Sequence, residues 1–441
     1  MKKKILLAVL IILVLIGVGG TYAYFTTDAF KSNKEMFFSY ISSDICSNLK
    51  DDDLAEYIKK QENTPYTNKG DISVNVNGEN SLTATEDETI QMLNNSKMSF
   101  EGKTDNNKKL AEQTITVNFA QGFNIPVQIK RDGESIGIQS NLLNTKFIAL
   151  RNENLKTLFE KFGADSENIP DKIDFEKAQF TDEELKQLKD RYISVLYDNL
   201  EEDSFSKEKS NGQTVMKLNT SDKKCTEILI KMLEQLRDDE IILNKLSGTI
   251  DKEEFKQEIN DEIDKIKSID VNENDTLDIK MYIKSKKVAK IEINLDNQDD
   301  TKVAITLENN DNQMSLKAYE DNKLIGQLDI LKEKEGNDLI YTIKLNAEQE
   351  DEGKINANFT IKYKNIVALE NVEESYDMTV KATDTDEESS NISLQYTNSK
   401  TFTNDIDIEG INNDNSIILN DATEDELDEL LITIYTNLGL Y

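Results

Sequence analysis

The pattern Ser-x-x-Lys is the common nucleophile–base pair that remains open to this sequence, because the chain contains no histidine. With 27 serines and 48 lysines in 441 residues, chance alone predicts about three matches. The matches are Ser47/Lys50, Ser204/Lys207, Ser206/Lys209 and Ser221/Lys224. No partner motif accompanies any of them. We therefore expect no catalytic serine, and we expect the protein not to be an enzyme.

A second pattern resembles the start of an EF-hand calcium loop. Asp405, Asp407 and Glu409 occupy loop positions 1, 3 and 5, and Gly410 occupies position 6. Position 12, where an EF-hand has a bidentate glutamate, is Ser416. No pair among the other carboxylates is singled out as an acid and a base. We expect no dedicated metal site and no cofactor, only general attraction of cations by an acidic surface.

The composition excludes several classes of function. The chain has 85 acidic and 52 basic side chains, a formal net charge of -33, two cysteines and no histidine. Two cysteines without histidine cannot form a zinc finger or an iron–sulfur site. Because phosphate contacts need cationic side chains, nucleic acid is not an expected partner. Anionic lipid headgroups would also repel the folded part of the chain.

Residues 5–25 form an uncharged, largely apolar run that follows lysines at positions 2–4. About 20 such residues are enough to span a bilayer as a helix. The positive-inside rule then predicts a cytoplasmic tip at 1–4, a transmembrane anchor at 5–25 and the bulk of the chain outside. We therefore expect a single-pass protein of the cell membrane, with the bulk of the chain extracellular. The alternative is a signal peptide cleaved near Thr21-Tyr22-Ala23.

The remaining sequence predicts an α+β protein. An apolar stripe at helical spacing predicts a membrane-proximal helix within residues 26–65. The stripe is formed by Phe37, Tyr40, Ile41, Ile45 and Leu49. Alternating strands followed by amphipathic helices, one with a capping box at Thr181/Glu184, predict a first α+β domain at 70–270.

Residues 275–441 predict a second domain dominated by an antiparallel meander. Nine segments alternate apolar and polar residues, with polar turns between them. They are 277–283, 289–295, 303–307, 314–318, 324–330, 339–345, 355–363, 376–382 and 392–396. A capping box at Thr423/Glu426 begins a final amphipathic helix. Because wide sheets twist and curl, we expect two similar half-barrel-like domains, each a curved sheet packed with helices.

Two sets of residues are candidate sites. Cys46 and Cys225 are the only possible disulfide pair, and an oxidising exterior would permit the bond; two separate buried thiols are the alternative. If the C-terminal helix covers only part of the sheet, the remainder would form an apolar pocket, whereas a fully sealed core is the alternative. That pocket would be lined by Met281, Met314, Tyr341, Leu345, Phe359 and Met378.

The N-terminal region resembles a group of uncharacterised membrane-anchored surface proteins of Gram-positive bacteria. The resemblance is carried by the lysine cap, the apolar run, Tyr22-Ala23-Tyr24-Phe25-Thr26-Thr27-Asp28-Ala29-Phe30-Lys31 and Met36-Phe37-Phe38-Ser39-Tyr40. The β-rich part resembles the half-barrel lipoprotein-carrier architecture, in which a curved antiparallel sheet holds helices. Neither resemblance implies catalytic residues.

We therefore expect a non-enzymatic, membrane-anchored extracytoplasmic binding protein for an apolar ligand or an envelope protein partner. The alternative is a structural or signalling surface protein with a sealed core and no small-molecule ligand. The sequence predicts no particular oligomeric state.

Overall fold

The computed structural model describes residues 31–41, 45–78, 94, 96–118, 124–163, 171–172, 180–246, 251–268, 276–296, 302–349, 353–383, 385 and 389–440. Eight α-helices lie in these residues, together with two short 3₁₀ turns at Ser47–Leu49 and Glu202–Ser204. The helices are α1 (Asn33–Ile41), α2 (Asp52–Asn63), α3 (Leu155–Lys161), α4 (Asp182–Asn199), α5 (Asp222–Arg237), α6 (Glu240–Leu246), α7 (Lys252–Ser268) and α8 (Glu424–Asn437).

Eighteen strands lie in the same described residues, and their pairing is almost entirely antiparallel. They are β1 (Tyr66–Gly78), β2 (Lys97–Asp105), β3 (Leu110–Asn118), β4 (Asn124–Asp132), β5 (Ser135–Ser140), β6 (Asn144–Arg151), β7 (Phe205–Ser210), β8 (Gln213–Ser221), β9 (Thr276–Lys284), β10 (Lys287–Asp296), β11 (Lys302–Asn309), β12 (Gln313–Glu320), β13 (Lys323–Glu335), β14 (Asp338–Gln349), β15 (Gly353–Lys364), β16 (Asn371–Thr383), β17 (Ser389–Phe402) and β18 (Ser416–Ile418). The predicted α+β class is confirmed.

The local patterns of the sequence correspond to these elements. Each of the nine alternating segments between 277 and 396 lies in one strand, β9 to β17. Both predicted capping boxes are present, at the first turns of α4 and α8. In each box the threonine hydroxyl accepts a hydrogen bond from a backbone N–H, and the glutamate accepts one from the threonine N–H.

The chain divides into two compact units whose boundaries differ from the predicted domains. Among the described residues, unit 1 comprises those within 31–50, 180–331 and 345–348, and unit 2 comprises those within 51–172, 332–344 and 349–440. The prediction of continuous domains at 70–270 and 275–441 is therefore wrong. The reason is long-range strand pairing: β1, near the N-terminus, pairs with β17 from Tyr66↔Phe402 to Gly78↔Ser390.

In unit 1, strands pair antiparallel in the order β7–β8–β9–β10–β11–β12–β13. Alternate residues of β9 are buried, namely Leu277, Ile279, Met281 and Ile283. Helices α1, α4, α5 and α7 contribute side chains to the same buried cluster. The core of unit 1 thus lies between one sheet face and these helices.

In unit 2, the order is β15–β16–β17–β1–β2–β3–β4–β5–β6–β18. Only the last pair, β6 with the three-residue β18, is parallel among these. Helix α2 packs on this unit through Tyr57, which is buried in a small cluster with Leu339, Ile366 and Val372.

The predicted helix within 26–65 is two helices, α1 and α2, and that prediction is wrong. The 3₁₀ turn Ser47–Leu49 separates them, and Asp51 caps α2 by accepting a hydrogen bond from the Asp53 N–H. Serine, asparagine and aspartate compete for backbone groups and favour caps over helix interiors. The polar segment around Ser47 therefore ends one helix and begins the next.

The predicted cytoplasmic tip at 1–4 and anchor at 5–25 lie outside the described residues. Within the residues that the structure describes, no helix combines the length and apolarity needed to cross a bilayer.

Candidate functional site

One face of the unit 2 sheet is apolar across seven neighbouring strands, β15–β16–β17–β1–β2–β3–β4. Residues directly opposite each other in an antiparallel pair share a face, so the strand registers identify its members. We call this surface the apolar face. It consists of Ile355, Ala357, Phe359, Ile361, Tyr376, Met378, Val380, Ala382, Ile392, Leu394, Tyr396, Ile72, Val74, Val76, Met98, Phe100, Ile115, Val117, Ile125, Val127 and Ile129.

The apolar face is covered far less than the equivalent surface of unit 1. Each of its side chains is half-buried or exposed, and Ile355 and Ile392 are 48% and 43% exposed. In β9 of unit 1, by contrast, Ile279 and Met281 are completely buried. Because large contiguous apolar patches are rare on monomeric proteins, an open face of this kind points to a binding surface.

Four aromatic rings form a row across the apolar face. The rings of Tyr376 and Tyr396 are stacked, with centroids 4.9 Å apart and planes 10° apart. Phe100 stacks on the other side of Tyr396 at 5.5 Å, and Phe359 lies 6.3 Å from Tyr376. Phe100, Tyr396 and Tyr376 thus form a stack of three rings, and the ring of Phe359 is tilted by 40° against the last of them. We call these four residues the aromatic row.

Gly70 allows Phe100 to reach Tyr396 across an intervening strand. Phe100 on β2 lies opposite Gly70 on β1, and β1 separates β2 from β17. A Cβ atom at Gly70 would lie 2.5 Å from Cζ of Phe100 and 1.9 Å from the carbonyl oxygen of Thr397. Only glycine leaves room for the phenyl ring over β1. The aromatic row therefore depends on a residue that has no side chain.

A buried polar group adjoins the aromatic row where α2 packs on the sheet. Glu374 on β16 accepts hydrogen bonds at Oε1 from the Tyr57 hydroxyl, at 2.7 Å, and from Lys400 Nζ, at 3.0 Å. Its Oε2 accepts from Nδ2 of Asn398 at 3.0 Å. Lys400 Nζ also lies 5.6 Å from the ring centroids of Tyr57 and Tyr66. We call Tyr57, Glu374, Asn398 and Lys400 the polar cluster.

Burial and the Glu374 carboxylate shift the neighbouring tyrosines toward the protonated form. Burial raises the pKa of Tyr57 and Tyr376 well above the ordinary range, and the charge of Glu374 raises both further. Burial, with a smaller effect of Glu374, raises the pKa of Tyr396 to about 12. These hydroxyls are thus neutral hydrogen-bond groups at physiological pH.

The structure places the six predicted pocket residues in several environments. Met281 and Met314 are buried in the core of unit 1, and Leu345 is exposed. In unit 2, Tyr341 packs against the Tyr57 cluster.

Of the six, only Phe359 and Met378 lie on the apolar face, where they are directly opposite each other on β15 and β16. The structure therefore associates two of the six with the candidate site.

The two cysteines both belong to the core of unit 1. Cys225 on α5 is buried, and Cys46 is half-buried with its Sγ 3.8 Å from Sδ of Met314. Neither takes part in a disulfide in the described part of the chain. The bond between Cys46 and Cys225 stays a prediction.

The motifs that suggested chemistry have structural roles. Ser221 caps α5, since its Oγ accepts a hydrogen bond from the Lys224 N–H at 3.2 Å. In the loop that resembles an EF-hand, the Ile411 N–H donates to Oδ2 of Asp132 at 2.9 Å, which ties this loop to β4. Across the described residues, no group of three or more cysteine, aspartate or glutamate side chains could hold a metal ion.

The polar cluster is not among the sites predicted from the sequence. The signal that could have identified it is the period-two alternation of these strands. Glu374 lies two residues before Tyr376 on β16, and Asn398 lies two residues after Tyr396 on β17. Polar residues at positions that the period of two assigns to the apolar side indicate a buried polar group.

No protein-family model matches the chain, and no curated protein matches its sequence. Solved structures with some similarity include one described as CymD monoaromatic hydrocarbon channel, at 8% identity and a TM-score of 0.22, covering 80% of this chain and 92% of that one. Another is the intact Ap-TbpB with N and C lobes, at 8% identity and a TM-score of 0.12, covering 77% of each chain. A mutant of the Rh. blastica porin has 7% identity and a TM-score of 0.15, covering 77% of this chain and 99% of that one. At such scores these likenesses support no conclusion about fold or function.

Proposed function

We propose that this protein is a non-enzymatic, membrane-anchored extracytoplasmic binding protein, and that the apolar face of unit 2 holds an apolar ligand. The observation that carries the proposal is that no member of that face is fully buried. We further propose that each unit is a curved, half-barrel-like sheet packed with helices. The uncharged run at 5–25 supports the anchor.

The character of the face favours a ligand with a long or flat apolar body. Rings of the aromatic row and flexible chains such as Met378 and Met98 adapt to varied apolar shapes. Each apolar side chain that a ligand fully covers contributes up to about 1.5–3 kcal/mol. Because the chain has a formal net charge of -33, a neutral ligand is favoured over an anionic one.

Binding of an uncharged fluorescent probe, N-phenyl-1-naphthylamine, to the full-length protein tests this proposal. We expect saturable enhancement of its fluorescence. The double variant Ile355→Gln/Ile392→Gln should weaken binding about tenfold, because both side chains border the open part of the face.

The matched control is Leu324→Gln on β13 of unit 1, which is 41% exposed and should bind the probe like the parent protein. An equal loss in the control, or no loss in the double variant, would overturn the proposed site. The anchor has a separate test, the intact mass of the protein extracted from its own membrane. A mass that includes residues 1–25 supports the anchor, and a mass without them supports a cleaved signal peptide.

A second candidate function is a structural or signalling surface protein with a sealed core. The core of unit 1 favours it, since a cavity there has a volume of only about 30 Å³ and a lining that is mostly apolar. A protein that fails to bind the probe, yet has the expected fold, would support this alternative for the whole chain.

A further inference from the structure

Helix α8 has two faces of different character. Leu427 and Leu430 are buried against unit 2. Flanking this buried edge, the helix carries a continuous exposed stripe with the helical spacing i, i+4, i+7, i+11 and i+14. We call it the α8 stripe, and it consists of Glu424, Asp428, Leu431, Tyr435 and Leu438.

Large apolar side chains remain exposed along the second half of this stripe. Leu431 is 39% exposed, and Tyr435 and Leu438 are both 45% exposed. Ile432, beside the stripe, is 52% exposed. A helix of a globular protein normally presents polar residues on its outer face, so this exposed apolar half indicates a surface that a partner covers.

All charged side chains of α8 are acidic, and all of them lie in its N-terminal half. The helix contains no lysine or arginine, and its acids lie in the first two turns, at 424, 425, 426, 428 and 429. The stripe is therefore acidic at the N-terminal end and apolar at the C-terminal end. A partner surface that complements the stripe is basic at one end and apolar at the other.

Both ends of α8 are fixed to unit 2. Nζ of Lys161 donates hydrogen bonds to the carbonyl oxygens of Asn420 and Ala422, just before the helix begins, at 3.2 and 3.0 Å. Nδ2 of Asn437, the last helical residue, donates to the carbonyl oxygen of Leu143 at 3.4 Å. The stripe is thus presented on a helix that is held in place, which lowers the entropy cost of docking a partner.

We infer that the α8 stripe docks an amphipathic helix of another protein whose lysine or arginine side chains face the acidic half and whose apolar side chains cover Leu431, Tyr435 and Leu438. A second copy of this chain fits poorly. A parallel pair would place acid against acid, and an antiparallel pair would place acids over apolar side chains. An anionic membrane surface would be repelled by Glu424 and Asp428.

A labelled helical peptide with a lysine block at one end and a leucine block at the other tests this inference by fluorescence anisotropy on the full-length protein. We expect saturable binding that weakens at higher salt. The variant Leu431→Ser/Leu438→Ser should weaken it at least tenfold without any change in net charge. The variant Glu424→Gln/Asp428→Asn should weaken it less and reduce its salt dependence.

The charge-preserving variant is decisive, because a chain with a net charge of -33 attracts any cationic peptide. The matched control is Ile136→Ser on β5 of the same unit, which is 53% exposed and should leave peptide binding unchanged. Equal peptide affinity for parent and Leu431→Ser/Leu438→Ser would overturn the inference. Self-association of the parent protein that Leu431→Ser/Leu438→Ser abolishes would also overturn the inference. Binding to phosphatidylglycerol vesicles that these substitutions abolish would overturn it as well. Naphthylamine binding should be unaffected by them, which separates this surface from the apolar face.

Discussion

The hydroxyl of Tyr57 donates a hydrogen bond of 2.7 Å to Oε1 of Glu374, although 317 residues separate them in the sequence. This bond joins α2 to β16 within unit 2. Tyr57→Phe removes the donor and keeps the ring, so one buried carboxylate oxygen loses a partner. We expect the free energy of unfolding in urea to fall by about 1–3 kcal/mol. Ile136→Val, at an exposed position of the same unit, should change it by less than about 0.5 kcal/mol.

Lys400 and Glu374 form an ion pair that is buried on both sides, with side chains 7% and 5% exposed. Lys400→Met leaves the carboxylate buried without its cation, and we expect a loss of about 3–5 kcal/mol. The double variant Lys400→Met/Glu374→Leu removes both charges and should recover much of that loss. A double-mutant cycle by urea denaturation measures the coupling. Additive losses would show that the two side chains do not stabilise each other.

Gly70→Ala is expected to disrupt the aromatic row. The added methyl group would overlap the ring of Phe100 and the carbonyl oxygen of Thr397, so the strands must shift. We expect a loss of about 1–3 kcal/mol in the free energy of unfolding, together with weaker tyrosine signals in the near-ultraviolet circular dichroism. Gly212→Ala is unsuitable as a control because its φ is +78°. Gly326→Ala on β13 is suitable, since the added Cβ would meet its nearest neighbour, Cβ of Ala318, at an ordinary 3.8 Å.

Tyr396 of the aromatic row also predicts how stability depends on pH. The pKa of Tyr396 is raised to about 12 in the folded protein, whereas an unfolded tyrosine ionises near 10. Above about pH 10 the unfolded chain therefore binds fewer protons than the folded one, and stability falls as the pH rises. The contribution of the protonated Tyr396 to the free energy of unfolding is complete below about pH 10 and is lost as the pH rises through 12. Phenolate absorbance during alkaline titration checks this: Tyr396→Phe should remove one late-titrating group.

Local elements of the fold were predictable because their signals are local. The alternation in β9, such as Leu277, Ile279 and Met281, identifies a strand without any knowledge of its partner. Capping boxes at Thr181 and Thr423 locate helix starts for the same reason. The pairing of β1 with β17 was not predictable, since period-two alternation carries no information about which strand lies alongside.

The candidate site was predictable only in part. Phe359 and Met378 were recognised as apolar residues of the meander, and they do lie on the apolar face. Met281 and Met314 have the same sequence pattern but are buried beneath helices of unit 1. Burial depends on which helices or strands pack over a strand. The alternation within one strand carries no information about those neighbours.

The central position of β1 has a consequence for how the protein is made. Strand β1 lies between β17 and β2, and every residue from 66 to 78 has a partner between 390 and 402. Because the chain is synthesised from its N-terminus, β1 is made early, yet one edge of that strand stays unpaired until about 300 further residues have been added. Such distant contacts slow folding and leave an open strand edge exposed to aggregation. The sheet of unit 2 should therefore close late in folding, and a chaperone that protects the unpaired edge of β1 would increase the yield of folded protein.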